Sequence, residues 1–189
     1  MGTATARGRV KKITWEARVT RSGVVEDLGV ISSYTYRNPW LIAACALLAL
    51  FAALALHSGL VALFGASLIV NTGRAIVTNR LKGAGTEPLN LAWGTGAGTT
   101  AATDTTLFTE GPEARTAGTS TQQTTTTTND TYRVVGTITA SAGRTVTNAG
   151  LFDVITSSSG NLYAKTDFTG IVLPSAGDAI QFTMNVVYS

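Results

Sequence analysis

The chain has 189 residues, enough for one ordinary domain or for a small domain with an appendage. Its formal net charge of +3 is divided unevenly, with a basic excess over residues 1–84 and an acidic excess over residues 85–189, which predicts two regions in different environments. The single cysteine, Cys45, and the single histidine, His57, both lie in the apolar middle of the chain. This excludes an intrachain disulfide, a Cys/His zinc site and a Ser/His/Asp triad in the second half.

The first predicted region, residues 1–38, combines a basic arm with a β-hairpin. Apolar and polar residues alternate over residues 13–20, which is typical of a half-buried strand. A turn at Ser22-Gly23 would return the chain through a second strand over residues 24–32. Because an isolated hairpin is marginally stable in water, we expect it to pack on the rest of the chain or on another chain. The arm lacks interleaved aromatic residues and predicts no specific nucleic-acid partner.

The second predicted region, residues 39–84, begins with an unbroken apolar run from Trp40 to Leu56. As a helix, residues 40–57 would be about 27 Å long, close to the hydrocarbon thickness of a bilayer. Alanines spaced four residues apart would also allow two such helices to approach closely. The run therefore predicts either a membrane span or the core of a homo-oligomer. The residues that would form either one are Leu47, Leu48, Ala49, Phe51, Ala53 and Leu54.

A shorter apolar segment, residues 60–70, leads into a predicted amphipathic helix. The helix is expected to end at Lys82-Gly83, because cations in a last turn and a following glycine are typical of helix ends. Its apolar face would comprise Ile69, Val70, Ile76, Val77 and Leu81.

The third predicted region, residues 85–189, is rich in Thr, Gly and Ser and predicts β-structure. Residues 90–94 indicate a short strand before a glycine-rich turn, and Leu107-Phe108 is a small apolar anchor. Residues 116–131 include five consecutive threonines and almost no apolar residues. We interpret them as a strand or ribbon that is exposed on both faces or paired with another chain, with a disordered mucin-like stretch as the alternative.

The last sixty residues carry the clearest pattern. Residues 132–138, 162–168 and 180–188 alternate with a period of two, and turn signals separate them. Short strands with this spacing predict a mainly β fold, namely an antiparallel, jelly-roll-like β-sandwich preceded by the hairpin arm and the two helices. The predicted core of the β region contains Trp93, Phe108, Phe152, Phe168, Phe182 and Met184.

The sequence offers no recognisable catalytic constellation. The eight acidic residues of 85–189 are spaced singly, mostly at expected turns, where Asp is ordinary turn chemistry. A Ca²⁺ site at loop carboxylates and a carboxylate pair for polysaccharide cleavage stay open as alternatives. The glycines of W-G-T-G-A-G lack the Gly-Lys-Ser/Thr ending of a phosphate-binding loop and indicate a tight turn. We therefore predict no enzyme activity, no cofactor and no metal.

Four phrases occur in order within residues 68–189: L-I-V-N-T-G-R-A-I-V-T-N-R-L-K-G, A-W-G-T-G-A-G-T-T-A-A-T-D-T-T-L-F-T-E, Q-T-T-T-T-T-N-D-T-Y-R-V-V-G-T-I-T and V-T-N-A-G-L-F-D. They resemble small structural proteins of the decoration or tail-fibre-like kind, encoded among the virion genes of tailed bacteriophages. The resemblance implies a β-rich, oligomeric virion component without catalysis. It carries over no catalytic residue, and the apolar run lies outside it.

Two functions follow as expectations. The first is a non-enzymatic structural protein of a bacteriophage virion, either a capsid decoration protein or head fibre or a tail-associated component. It would form a homo-oligomer, most plausibly a trimer, through its N-terminal helices and contact capsid or tail proteins. The alternative is a membrane-anchored surface protein of the host membrane, with the β-sandwich as a binding module.

Overall fold

The computed structural model describes residues 10–35 and 67–188. The predicted apolar helix, with Leu47, Leu48, Ala49, Phe51, Ala53 and Leu54, lies outside these described residues.

The described chain consists mainly of β-strands, with one helix. In order, the elements are β1 (Val10–Arg21), β2 (Val24–Thr35), β3 (Ser67–Ile69), α1 (Asn71–Leu81), β4 (Asn90–Gly94), β5 (Thr116–Ala117), β6 (Thr119–Gln123), β7 (Thr131–Thr139), β8 (Arg144–Phe152), β9 (Leu162–Leu173) and β10 (Ala179–Tyr188).

The strands form two five-stranded antiparallel sheets around a shared core. Sheet A has the order β2-β1-β10-β7-β6, and sheet B has the order β3-β9-β8-β4-β5. Trp15 and Phe182 of sheet A belong to the same hydrophobic cluster as Trp93 and Leu151 of sheet B. The prediction of a mainly β, sandwich-like fold is confirmed.

The predicted hairpin is formed by β1 and β2. Its turn, Ser22-Gly23, has positive φ at both residues, as a type I′ turn requires. β1 also pairs along its length with β10, beginning with Val10 opposite Tyr188. Trp15 is fully buried and meets the ring of Phe182 edge-on, with 6.2 Å between the centroids. The hairpin is therefore part of sheet A rather than an arm in front of the sandwich, because β10 offers β1 both a free strand edge and a core to pack on.

The helix predicted before Gly83 is formed by α1, which closes one end of the sandwich. Ile76 is buried in the shared core. Gly73 lies against the backbone of Tyr163, and a Cβ at this position would overlap the Tyr163 carbonyl oxygen. Leu81, which the sequence predicts on the apolar face of the helix, is 82% exposed, because the helix packs through the side that carries Gly73 and Ile76. Within the described residues, no helix has the length and apolar character to cross a bilayer.

Two predicted segments differ from the structure. The end of the apolar segment 60–70 is not helical: residues 67–69 form the edge strand β3, because β9 has a free edge with which they pair. The five threonines 124–128 do not form a strand, because the Asp130 carboxylate accepts the N–H groups of Thr125, Thr126 and Thr127 at 2.8 Å and closes a loop. The ribbon before them is a strand, β6, and it pairs with β7 of the same chain.

The predicted core residues lie on both faces of sheet B and on the inner face of sheet A. Phe108 is half-buried over the outer face of sheet B. The remaining five are buried: Trp93, Phe152, Phe168, Phe182 and Met184.

Candidate functional site

The connection between β4 and β5, residues 95–115, folds over the outer face of sheet B, and we call it the cover loop. Its Leu107 is buried in a second hydrophobic cluster with Val70, Ala92, Phe152 and Leu162. Compact loops of this length are frequently functional. The charged side chains around the cover loop are therefore candidate functional groups.

Lys165 of β9 lies beneath the cover loop with a side chain that is only 1% exposed. Its Nζ donates to a carboxylate oxygen of Asp104 at 2.9 Å and to the carbonyl of Thr106 at 3.0 Å, and it lies 3.1 Å from the ring centroid of Phe108. Burial lowers the pKa of Lys165, whereas the hydrogen bond to Asp104 acts in the opposite direction. All three partners belong to the cover loop, so Lys165 ties this loop to the sheet.

Arg115 ties the other end of the cover loop. Its guanidinium forms a two-point ion pair with Glu110, at 2.8 and 3.1 Å, and donates to the carbonyls of Val154 and Ser159. The same group stacks 3.5 Å from the ring centroid of Phe152. A buried guanidinium whose donors are satisfied in this way is a structural clamp.

Glu113 is the third charged group fixed by this loop. Its carboxylate accepts the indole N–H of Trp93 at 2.9 Å and both the N–H and the hydroxyl of Ser141, and it pairs with Arg144 at 2.7 Å. Burial alone would raise the pKa of Glu113, but the hydrogen bonds from Ser141 and Trp93 hold that pKa below its ordinary value. The carboxylate is therefore charged and fully engaged at neutral pH.

The glycine-rich turn is filled by protein rather than open to a phosphate. The Asn148 amide donates to the carbonyls of Gly96 and Phe108 and accepts the Phe108 N–H at 3.0 Å. A Cβ on Gly98 would lie 2.7 Å from atoms of the Phe108 ring. The interpretation as a tight turn agrees with this packing.

The other loop carboxylates serve turns. Asp178 accepts the N–H groups of Ser22 and Ser175, and Asp153 accepts both the N–H and the side-chain amide of Asn161. Across residues 10–35 and 67–188, no three His, Cys, Asp or Glu side chains come together in a way that could hold a metal ion.

A concave surface lies at the end of the sandwich that α1 closes. It is a groove with a volume of about 480 Å³, which is in the range of ligand and peptide sites. We call it the tyrosine groove. It is lined by Ile76, Val77, Arg80, Leu81, Glu87, Pro88, Tyr132, Tyr163 and Tyr188.

Three tyrosines from three strands form the floor of the tyrosine groove. The hydroxyl of Tyr132 lies 2.8 Å from the carbonyl of Pro88 and 3.1 Å from the Glu87 carboxylate. The hydroxyls of Tyr163 and Tyr188 are 2.8 Å apart. Burial raises the pKa of all three phenols, and the Glu87 carboxylate raises that of Tyr132 further. The phenols therefore remain neutral donors at any physiological pH.

The lining of the tyrosine groove combines aromatic rings with charged side chains. The charged side chains of the lining are Arg80 of α1 and Glu87. Leu81 projects from the rim of the groove into solvent. Tyrosine and arginine are among the residues enriched at the energetically important positions of protein interfaces.

The amino-acid sequence alone does not predict that these tyrosines come together. Each stands near an end of its strand, Tyr132 and Tyr163 as second residues and Tyr188 as the last. A tyrosine at a strand end, with an apolar ring and a polar hydroxyl, is a local signal for a partly exposed surface at that end of the sheet. Their convergence with α1 depends on sheet order, which the alternating pattern does not give.

Comparison of this chain with protein-family models, with curated proteins and with solved structures found no significant match.

Proposed function

We propose that this chain is a non-enzymatic structural protein of a bacteriophage virion, serving as a capsid decoration protein, a head fibre or a tail-associated component. One observation carries the proposal most directly: Arg115 and Glu113 of the cover loop and Lys165 of β9 are all engaged in holding the loop on the sheet. Side chains engaged in this way favour a rigid displayed domain over a catalytic cleft. The resemblance of four sequence phrases to virion proteins of tailed bacteriophages supports a phage virion as the particle in which this domain is displayed.

The proposal has a specific architecture. The β domain is a jelly-roll-like sandwich that projects from the particle, and the apolar residues 40–57 form a helix that holds identical copies together. A strand that changes sheets supports the first part: the chain passes from β5 in sheet B to β6 in sheet A at Gly118, where a Cβ would lie 2.6 Å from Val134. The close spacing of Ala49 and Ala53 supports the second part.

The oligomeric state in the absence of detergent tests this proposal. Light scattering on the full chain is expected to give a stable multimer of three chains of 19.6 kDa each. An apolar helix buried by identical neighbours resembles a protein core divided between chains, so the multimer should survive dilution. A detergent-free monomer would contradict the proposal.

The second candidate is a membrane-anchored surface protein, which the length of the apolar run favours. Residues 40–57 would then lie in a bilayer and display the sandwich as a binding module. Fractionation of expressing cells separates the two candidates: the anchored protein would remain in the membrane pellet after a high-salt wash, whereas the virion protein would be recovered in the supernatant.

A further inference from the structure

We propose that the end of the sandwich closed by α1 is the surface through which copies of this chain contact each other, with the tyrosine groove and Leu81 at its centre. The occupant of the groove is thus a second copy of the chain. This inference rests on the proposed function, since it identifies the β-domain surface that takes part in the homo-oligomer.

The chemistry of this surface suits a protein partner. Tyrosine and arginine dominate the energetically important positions of protein interfaces, and the groove contains Tyr132, Tyr163, Tyr188 and Arg80. Leu81 stands at the rim and is 82% exposed. In a cyclic assembly whose axis passes near the groove, the Leu81 side chain of one copy would reach the apolar wall of the next.

Charges at this end are complementary between its two parts. α1 and its cap expose Arg74, Arg80 and Lys82, and the helix contains no acidic residue. The loop after α1 carries the carboxylate of Glu87, which accepts the Tyr132 hydroxyl at 3.1 Å. Rotation about an axis near the groove would place the basic helix of one copy beside Glu87 of the next, which steers association and fixes its register.

The chain connections converge on the same end. β1 begins at Val10, opposite Tyr188 of the groove, and β2 ends at Thr35, opposite Lys12. Residues 36–66 follow β2 directly and contain the apolar run, Trp40 to Leu56, to which we assign the oligomer core. The strands on either side of this segment therefore both lie at the groove end, since Ile69 of β3 is opposite Ala164, beside Tyr163.

The long edge strand β2 is a less suitable contact surface. It exposes Val24 and Val25. Its pairing with β1 is interrupted by two irregularities, and the Asp27 carboxylate accepts the N–H of Gly29, which has a positive φ. Charged residues and bulges of this kind protect strand edges from pairing with other chains.

Single-cysteine crosslinking tests the proposed surface independently of what holds the multimer together. In a Cys45→Ser background, Leu81→Cys places a thiol at the groove rim. Val172→Cys is the matched control, because Val172 is also a large exposed residue, at 54%, but lies near the end of β9 that is remote from Tyr163. A short bismaleimide is added to each purified variant, and denaturing gels report the covalent products.

We expect the Leu81→Cys chain to shift to the mass of a crosslinked dimer and the Val172→Cys chain to stay at the monomer mass. Lys82→Cys, exposed beside Leu81, is a second probe and should behave as Leu81→Cys does. Circular dichroism and light scattering confirm that each variant keeps the wild-type fold and mass.

Two outcomes would overturn the inference in distinguishable ways. If the wild type is a multimer but neither Leu81→Cys nor Lys82→Cys crosslinks, the contact surface is wrong and the proposed function stands. If the wild type is a monomer in light scattering, the inference and the proposed homo-oligomer fail together.

Discussion

Glu113 illustrates at the residue scale how a carboxylate in this protein is used. Its oxygens receive hydrogen bonds from Trp93 and Ser141 and an ion pair from Arg144, which join the cover loop to the turn between β7 and β8. A group so engaged stabilises the fold only while it is charged. Its structural role can therefore be measured through the pH dependence of stability.

We expect the free energy of unfolding to fall more steeply with decreasing pH in the wild type than in Glu113→Gln. Hydrogen bonds hold the folded-state pKa of Glu113 below its ordinary value. The stabilisation is therefore fully present above the unfolded-state pKa of about 4.3 and is lost as the pH falls through the lower folded-state pKa. Urea unfolding followed by circular dichroism across this acidic range measures the difference.

The control for this experiment is Glu16→Gln. Glu16 lies on β1 and its substitution leaves the contacts of Glu113 unchanged. Identical pH slopes in the wild type and Glu113→Gln would show that the hydrogen-bonded carboxylate does not contribute to stability.

The cover loop shows at the element scale how a long connection is kept in place. One end is clamped by Arg115 and its middle by Lys165, each with an aromatic ring below the cation. Removing one member of a buried ion pair is more costly than removing both, because the remaining charge is left without a partner. A larger loss of stability in the single variants than in the double variant therefore distinguishes a buried ion pair from a surface ion pair.

We expect Lys165→Met to destabilise the protein by about 3 kcal/mol, since the Asp104 carboxylate would lose its buried cation. The unbranched methionine keeps much of the packing against Phe108. Adding Asp104→Leu should recover part of the loss. Chemical unfolding of the two single variants and the double variant gives the coupling energy, and limited proteolysis should cut the cover loop faster in Lys165→Met. Strictly additive effects would contradict this expectation.

Elements with a clear period of two could be predicted from the sequence. β1, β7 and β10 each bury one face in the shared core, so their alternation is direct evidence for a strand. β3 could not be predicted in this way, because three residues are too few to show a period and their pairing depends on the free edge of β9. The tyrosine groove could not be predicted from the sequence for a similar reason, since it is assembled from elements far apart in the sequence.

At the scale of the whole molecule, the N-terminal hairpin and the C-terminal strands form one folding unit. β1 supplies Ile13, Trp15, Ala17 and Val19 to the shared core. The basic first half and the acidic second half of the sequence therefore both contribute strands to sheet A.

We expect a fragment comprising residues 85–189 to lack a cooperative fold, because β10 would lose its β1 partner and the core would lose the Trp15 side chain. Near-ultraviolet circular dichroism and thermal unfolding measure this. A fragment that also includes residues 67–84 isolates the effect of the hairpin, and a synthetic peptide of residues 10–35 should restore native signals to it. A sharp unfolding transition in the shorter fragment alone would contradict the expectation.

β10 lies in the middle of sheet A, between β1 and β7, although it is the last described strand along the chain. During synthesis, β1 and β2 leave the ribosome long before their partner strand exists, and contacts between such distant segments form late because of the entropy of closing a long loop. Until then, the inner edge of β1 is open to the same edge of another nascent chain. The yield of correctly folded protein should therefore depend on how soon β10 emerges relative to encounters between growing chains.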